Sequence, residues 1–305
     1  MTGTVAVTGA SGFIGQHIVR NLLSRNFRVR ALTRTGNRLS HENVSWIQGS
    51  LDDKEALAEL LNGADSVVHC AGQVRGHTED IFTHCNVTGS LRLMQVARQM
   101  GRCKRFLFIS SLAARHPELS WYANSKYVAE QQLSEMAASQ ISLGIFRPTA
   151  VYGPGDKELK PLFNWLLRGL LPQLGSSEAR FSFLHVSDLA QAVGQWLVTE
   201  NPQTGCYELC DGLPGGYSWQ RLQEIGKKVR NGRVRLIPVP LPLLKRLADI
   251  SILVNRLSHK EPMLTHSKLR EITYPDWSVS NKKLSESIDW FPKLSLEHAL
   301  FEGIF

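Results

Sequence analysis

An α/β fold, a doubly wound parallel sheet with a smaller C-terminal lobe, is predicted by three features of the sequence. Short apolar stretches alternate with helix-length amphipathic ones through the first half. A glycine-rich turn joins the first such pair, and after residue 152 prolines multiply and the alternation breaks down. At 305 residues the chain is long for one core and ample for two lobes sharing an interface. Its composition, 43% hydrophobic and 20% charged, excludes disorder.

The elements follow in order. TVAVTG is a first strand, and a helix runs from about Gly12 to Arg25 with Phe13, Ile14, Ile18 and Leu22 at helical spacing. RVRALTR and VSWIQG read as the next two strands. DDKEALAELLNG is a helix with an acidic first turn and a stop at Gly63. DSVVHCAG is a fourth strand, and a helix covers roughly Glu79 to Met100. RFLFISS is a fifth strand, apolar throughout and therefore buried on both faces. A helix from about Ser120 to Ser139 precedes the strand ISLGIFR. Strands joined by helix-length segments are βαβ crossovers, which give a parallel sheet of the Rossmann kind. Residues 1–152 form this domain. The smaller lobe spans 153–305, with helices over Leu159–Leu171 and Ser187–Thr199, except that 181–204 returns to the first domain.

Several classes are excluded at this stage. Net charge is +8, and the densest basic group is Lys227, Lys228, Arg230, Arg233 and Arg235. No nucleic-acid motif accompanies it, so a solvated helix face is expected and no nucleic-acid partner. The stretch LIPVPLPLLKRLADISILV is broken by prolines and by Lys245, Arg246 and Asp249, so no transmembrane segment is expected. Within it Leu243, Leu244, Leu247, Ile250, Val254 and Leu257 form an apolar stripe, for which core packing is the first expectation and the wall of a hydrophobic pocket the second. Trp165, Trp196, Trp219 and Trp277 are expected to pack inside. The five cysteines follow no zinc or redox spacing and read as reduced thiols; with no charged leader, a cytoplasmic protein is expected. His69, His84 and His185 share no ligand spacing, so they read as structural histidines and no metal site is expected.

The turn Thr8-Gly9-x-x-Gly12-x-x-Gly15 follows the first strand and opens the first helix. Glycines there allow a tight turn, close approach of backbone to pyrophosphate and close helix–strand packing. Gly9, Ser11, Gly12, Phe13, Ile14 and Gly15 are therefore expected along a dinucleotide. The second strand ends in Thr33-Arg34, with Arg38 close behind, where a carboxylate would select NAD. A guanidinium there suits a 2′-phosphate, so NADP(H) is favoured as cofactor and NAD(H) is the alternative.

Tyr122 and Lys126 stand one turn apart on one face of a predicted helix, just after Ser110 and Ser111 end the fifth strand. Carboxyl ends of such strands are where ligands bind. A phenol is a poor base at neutral pH, and a neighbouring ammonium would lower its pKa. Ser111 would hydrogen-bond the substrate oxygen. Ser111, Tyr122 and Lys126 are thus the expected catalytic residues.

With TGASGFIG, DSVVHCAG, NVTGS, FLFISS, YANSK, RPTAVYGPG, FLHVSDLA and WFPKLSLEHAL in this order, the chain resembles the extended short-chain dehydrogenase/reductase family, also called the NAD-dependent epimerase/dehydratase family. The resemblance implies that Cys70, Ala71, Gly72 and Asn86 lie along the cofactor and that Pro148 and Thr149 lie near the nicotinamide. It also implies a homodimer through helices around 86–100 and 122–139. Two departures stand out. Gly49-Ser50 replaces a common Gly-Asp, leaving Ser50 and Leu51 for adenine, and the loop from Ser111 to Tyr122 is shorter than in most sugar-nucleotide members. Such members also carry an arginine just before the HV.D segment, where this chain has Phe181, with Arg180 one residue out of step and so on the opposite strand face.

The expected function is an NADP(H)-dependent oxidoreductase that interconverts a secondary alcohol and a ketone of a small-molecule substrate. The alternatives are a nucleotide-sugar 4-epimerase or dehydratase with tightly bound NAD, and a non-catalytic NADPH-binding subunit or sensor. The last usually lacks the Tyr–Lys pair, which is kept here.

Overall fold

The computed structural model describes residues 3–35, 39–137, 141–258 and 265–305, with side chains from 252 to 258 excepted. The buried strand β1 (Thr4–Thr8) leads through the glycine turn into α1 (Phe13–Ser24). Then come β2 (Arg28–Thr33), β3 (Val44–Gln48), α2 (Lys54–Leu61) and β4 (Ser66–His69). The expected helix over 79–100 is three pieces in one run. These are α3 (Glu79–Phe82), a π-helical segment (Thr83–Thr88) and α4 (Gly89–Met100). After β5 (Arg105–Ile109) two short 3₁₀ turns, Leu112–Arg115 and Pro117–Leu119, fill the loop before α5 (Trp121–Ala137).

The second half continues through β6 (Ser142–Pro148), β7 (Ala150–Tyr152), α6 (Lys160–Leu167), β8 (Leu170–Leu174), β9 (Phe183–His185), α7 (Val186–Val198) and β10 (Gly205–Leu209). It ends with α8 (Trp219–Val229), β11 (Arg235–Val239), α9 (Leu241–Ser258), α10 (His266–Ile272), α11 (Lys282–Ile288) and α12 (Leu296–Phe301).

Seven strands form one sheet in the order β10-β6-β5-β4-β1-β2-β3, with every pair parallel. The chain winds outward from β1 to β3, then crosses to β4 and winds the other way. The reversal opens a crevice above the carboxyl ends of β1 and β4, the place where such sheets bind ligands. Each face carries its own core. One holds Ile18, Leu22, Val193 and Trp196 from α1 and α7. The other holds Leu57, Leu93, Met94 and Leu133 from α2, α4 and α5. A third core, around Tyr152, Phe163, Phe183 and Trp219, fills the second lobe.

Four sequence expectations change. The strand Gly205–Leu209, assigned to the smaller lobe, pairs with β6 and ends the main sheet, and Leu284, Ile288 and Trp290 pack beneath that sheet. The helix over 159–171 stops at Leu167, because Gly169 at φ +89° reverses the chain into β8, which pairs with β11. Trp165 is 49% exposed rather than packed, whereas Trp196 and Trp219 are buried. On α9 only Leu244 of the stripe's described side chains is buried. Leu243, Leu247 and Ile250 face outward, since the helix rests on the body through Leu244 and Ala248 alone of its buried residues. Val254 and Leu257 have side chains outside the described set.

A buried carboxylate fixes α5 to the sheet. Glu130, 3% exposed, accepts from Nε of Arg147 on β6 at 3.0 and 3.1 Å, and from the hydroxyl of Ser110 at the end of β5. Removing one partner of a buried pair strands the other charge. Glu130→Ala is expected to lower stability by about 3 kcal/mol, the low end of the range because Arg147 keeps some solvent contact. Denaturant unfolding measures this, and a loss of under about 1 kcal/mol would show that the pair is not an anchor.

Candidate active site

Strand β1 delivers the chain into a turn that only glycine allows. Gly9 has φ +67°, and a Cβ there would lie 2.6 Å from the amide nitrogen of Ala71. A Cβ on Gly15 would meet the Gly9 carbonyl at 2.0 Å, so helix and turn are in contact. Beside Gly12 the space is open, and a Cβ would meet only Gly9 O at 3.2 Å. Gly12 is also the N-cap of α1, with no side chain capping the free N–H groups and no acid in the first turn. Such a helix end, bare and approachable, fits the pyrophosphate of a dinucleotide. Ser11 and Phe13 line the turn half-buried, while Ile14 packs against the core.

The facing wall is held by a buried relay. The Thr8 hydroxyl accepts from the Ala71 amide at 3.3 Å and meets His69 Nδ1 at 2.6 Å. His69 Nε2 meets Ser90 Oγ at 2.7 Å, and that hydroxyl donates to Asn86 O at 2.6 Å. One tautomer satisfies every member, with the proton on Nε2. Burial, helped by the Lys126 charge, pushes His69 down to about 3, so the ring stays neutral. Asn86 is fully buried; it accepts from Gln73 N at 2.7 Å and donates to Gln73 O and Ser125 Oγ, each at 2.9 Å. Its side chain therefore shapes the wall from behind, while Cys70 and Ala71 are half-buried along it and Gly72 is exposed.

Ser111, Tyr122 and Lys126 converge at the carboxyl end of β5. The Ser111 oxygen accepts from Ala113 N at 3.2 Å, capping the turn that follows β5. Its hydroxyl also acts on the Tyr122 phenol by hydrogen bonding. Lys126 is 3% exposed; its Nζ donates to Ile109 O at 3.0 Å and sits 4.7 Å from the centroid of Phe108. A Cβ on Gly72 would come 3.0 Å from that nitrogen, so the ammonium reaches the cleft floor. Desolvation brings Lys126 down to about 8, against the opposing pull of Cys70, Cys85 and Glu130.

The phenol departs from expectation. Burial pushes Tyr122 up to about 12; Ser111 pulls it down, and the charge of Glu271 and Cys70 push it further up. The Lys126 ammonium meanwhile is hydrogen-bonded to the Ile109 carbonyl, on the Gly72 side of the cleft. Without a bound ligand the phenol is thus firmly protonated at neutral pH.

Glu271 and Ser120 were missed by sequence reading. Ser120 caps α5, accepting from Ala123 N at 2.9 Å, and donates its own proton to Glu271 Oε1 from α10. Glu271, 7% exposed, also pairs with Lys268 at 2.9 Å. Ser120 could have been read as an N-cap; the glutamate lies 151 residues away with no local signal. Between the 3₁₀ turns and the second lobe, His116, Tyr274 and Trp277 form an aromatic group with centroids 4.2, 4.9 and 5.6 Å apart.

The remaining expected residues fall as follows. Pro148, the last residue of β6, and Thr149 after it are buried, and the Thr149 hydroxyl has no partner among the described residues. Arg34 is exposed at the end of β2, near enough for its charge to act on Cys85. Arg38 lies outside the described residues. Ser50 is half-buried, but Leu51 is buried against Gly89, with its carbonyl taken by Arg92. Phe181 packs on Trp219 at 4.7 Å, and Arg180 is exposed.

Neutralising the glutamate should release the phenol. Glu271→Gln keeps a side chain able to meet Ser120 and is expected to move the Tyr122 titration to lower pH. Ultraviolet difference titration against Tyr122→Phe reads the shift; an unmoved curve would mean the carboxylate does not act on the phenol.

A family model for the NAD-dependent epimerase/dehydratase family matches residues 5–209. The chain is 33% identical over 291 residues to a ceramide reductase of Caulobacter vibrioides, covering 94% of this chain and 89% of that one. It is 25% identical over 294 residues to a sterol-4-alpha-carboxylate 3-dehydrogenase, decarboxylating, of Dictyostelium discoideum, covering 87% and 89%. Among solved structures it resembles MoeE5 in complex with UDP-glucuronic acid and NAD, with TM-score 0.75, 21% identity and coverage of 98% and 96%. A UDP-glucose 4-epimerase of Thermotoga maritima gives the same figures. Glycine turn, switch point and family match agree: the chain belongs to the NAD-dependent epimerase/dehydratase family of enzymes.

Proposed function

We propose that the protein is an NADP(H)-dependent oxidoreductase that interconverts a secondary alcohol and a ketone on a hydrophobic small molecule. The observation that carries this reading is the meeting of Ser111, Tyr122 and Lys126 at the carboxyl end of β5, beside the glycine turn. When bound, the nicotinamide would exchange a hydrogen and its electron pair with the substrate carbon.

The chain's own groups serve the proton. A phenol pushed up to about 12 is a proton donor at neutral pH, which suits the reduction of a ketone. Tyr122 gives its proton to the substrate oxygen as charge develops there. Ser111 donates a hydrogen bond to the same oxygen. Lys126, a cation at the cleft floor, would hold the ribose hydroxyls. The residues expected along the dinucleotide are Gly9, Ser11, Gly12, Phe13, Ile14, Gly15, Cys70, Ala71 and Gly72, with Ser50 towards adenine and Thr149 towards the nicotinamide. Asn86 is a positioning residue in this reading. A homodimer through the helices of 86–100 and 122–139 belongs to it as well.

The substrate class rests on two supports. Phe181, packed on Trp219, is the residue that the family resemblance sets at the position of a diphosphate-binding arginine, and the aromatic group of His116, Tyr274 and Trp277 borders the loop after Ser111. Relatives named for ceramide and sterol substrates point the same way. The solved neighbours with UDP-sugars keep the epimerase as the second reading. Mass spectrometry of the purified protein separates the two, because tightly retained NAD would favour the epimerase.

For NADP(H), the support is Arg34, exposed where an NAD enzyme places a carboxylate, while the Thr33 hydroxyl is engaged with Thr35 O at 2.6 Å. Arg34→Ser is expected to weaken NADPH about tenfold and leave NADH unchanged, as loss of a charged hydrogen bond would. Equal effects on the two, by titration calorimetry, would reject the assignment. Tyr122→Phe should lower kcat by about 10²- to 10⁴-fold while cofactor affinity survives. Full turnover in that variant would remove Tyr122 from the reaction.

A further inference from the structure

Helix α9 is the least enclosed long helix among the described residues. It touches the body through Leu244 and Ala248, and through Asp249, whose carboxylate meets His266 of α10 at 2.8 Å. Leu243, Leu247 and Ile250, at i, i+4 and i+7, share one face and are 45–57% exposed. Leu241 at the start of α9 and Ile237 on β11 just before it are also apolar and exposed, at 45% and 43%. Isolated exposed leucines need no explanation, but a continuous stripe in water does.

The charge of the segment leading into the stripe is mainly positive, with Asp249 of α9 held by His266 and Lys228 paired with Glu297. From Ile225 to Ala248 the sequence has seven lysines and arginines and no aspartate or glutamate. All seven are exposed. Arg246 lies three residues after Leu243 and four before Ile250, at the margin of the stripe, with Lys245 beside it. A second copy of this surface would set Lys245 and Arg246 against the same cations and be repelled. A nucleic acid would match the cations and leave the leucines in water. An anionic bilayer satisfies both, taking the leucines at the acyl boundary and the cations among phosphates. No helix among the described residues is long and apolar enough to cross a membrane. The helix would therefore lie on the surface rather than span it.

We propose that α9, with the basic segment before it, docks the protein on anionic phospholipid membranes. The proposal does not depend on the reaction assigned above, and it is tested by binding alone. Flotation of the full chain uses vesicles of phosphatidylcholine alone and of phosphatidylcholine with phosphatidylglycerol. The protein is expected to float with the anionic vesicles only, and less so as salt rises. Lys245→Gln with Arg246→Gln should weaken partition about fivefold for each cation removed. Leu243→Ser, Leu247→Ser and Ile250→Ser together should abolish it, with the thermal melt showing that these surface changes leave the fold intact. Three results would overturn the proposal: no flotation, equal flotation with neutral vesicles, or flotation unmoved by either variant. A concentration-dependent dimer that the serine variant abolishes would assign the stripe to a second copy instead.

Discussion

One carboxylate sets the position of the candidate site. Glu130 sits under α5 with scarcely any solvent and gathers Arg147 from β6 and Ser110 from β5. A charge so placed is tolerated only with its partners in place, so the helix has little freedom to slide or rotate on the sheet. Lys126 is one helical turn before Glu130 on the same helix and Ser111 directly follows Ser110. Fixing that contact therefore fixes where Lys126 and Ser111 stand relative to one another.

Neutral groups hold the opposite wall. Thr8, His69, Ser90 and Asn86 form a chain of hydrogen bonds from the first strand to the π-helical segment. Asn86 then joins Gln73 to Ser125, and Ser125 donates to the Tyr122 carbonyl at 2.8 Å. The wall and the catalytic helix are thus parts of one network. A fully satisfied polar network is rigid, because any member that moves leaves a buried partner unpaired. The extra residue of the π segment accommodates this arrangement at a functional edge, where such segments recur.

Much of this was legible in the sequence, for a physical reason in each case. Alternating apolar strands and helices predict the parallel sheet because buried parallel strands must be apolar on both faces, as Arg105–Ile109 is. The glycine turn was visible because backbone conformation there excludes other residues. Tyr122 and Lys126 were visible because helical periodicity places them together. What escaped depends on contacts across long separations. Glu271 reaches Ser120 from the other end of the chain, and β10 joins the main sheet only because β6 offers it a free edge. The burial that pushes the phenol up is likewise a property of the assembled walls. The stripe on α9 was misread as core because periodicity reports an apolar face without saying what covers it.

The cap on α5 carries a last consequence. Its first turn is completed by a carboxylate from α10, so the end of the helix that carries Tyr122 is built from segments 151 residues apart. The substrate-side segment is then not an exchangeable cassette. A chimaera that grafts a foreign C-terminal portion onto this dinucleotide half inherits Ser120 with nothing to receive its proton. Reshaping specificity in this scaffold therefore means choosing the new lobe and the catalytic helix together.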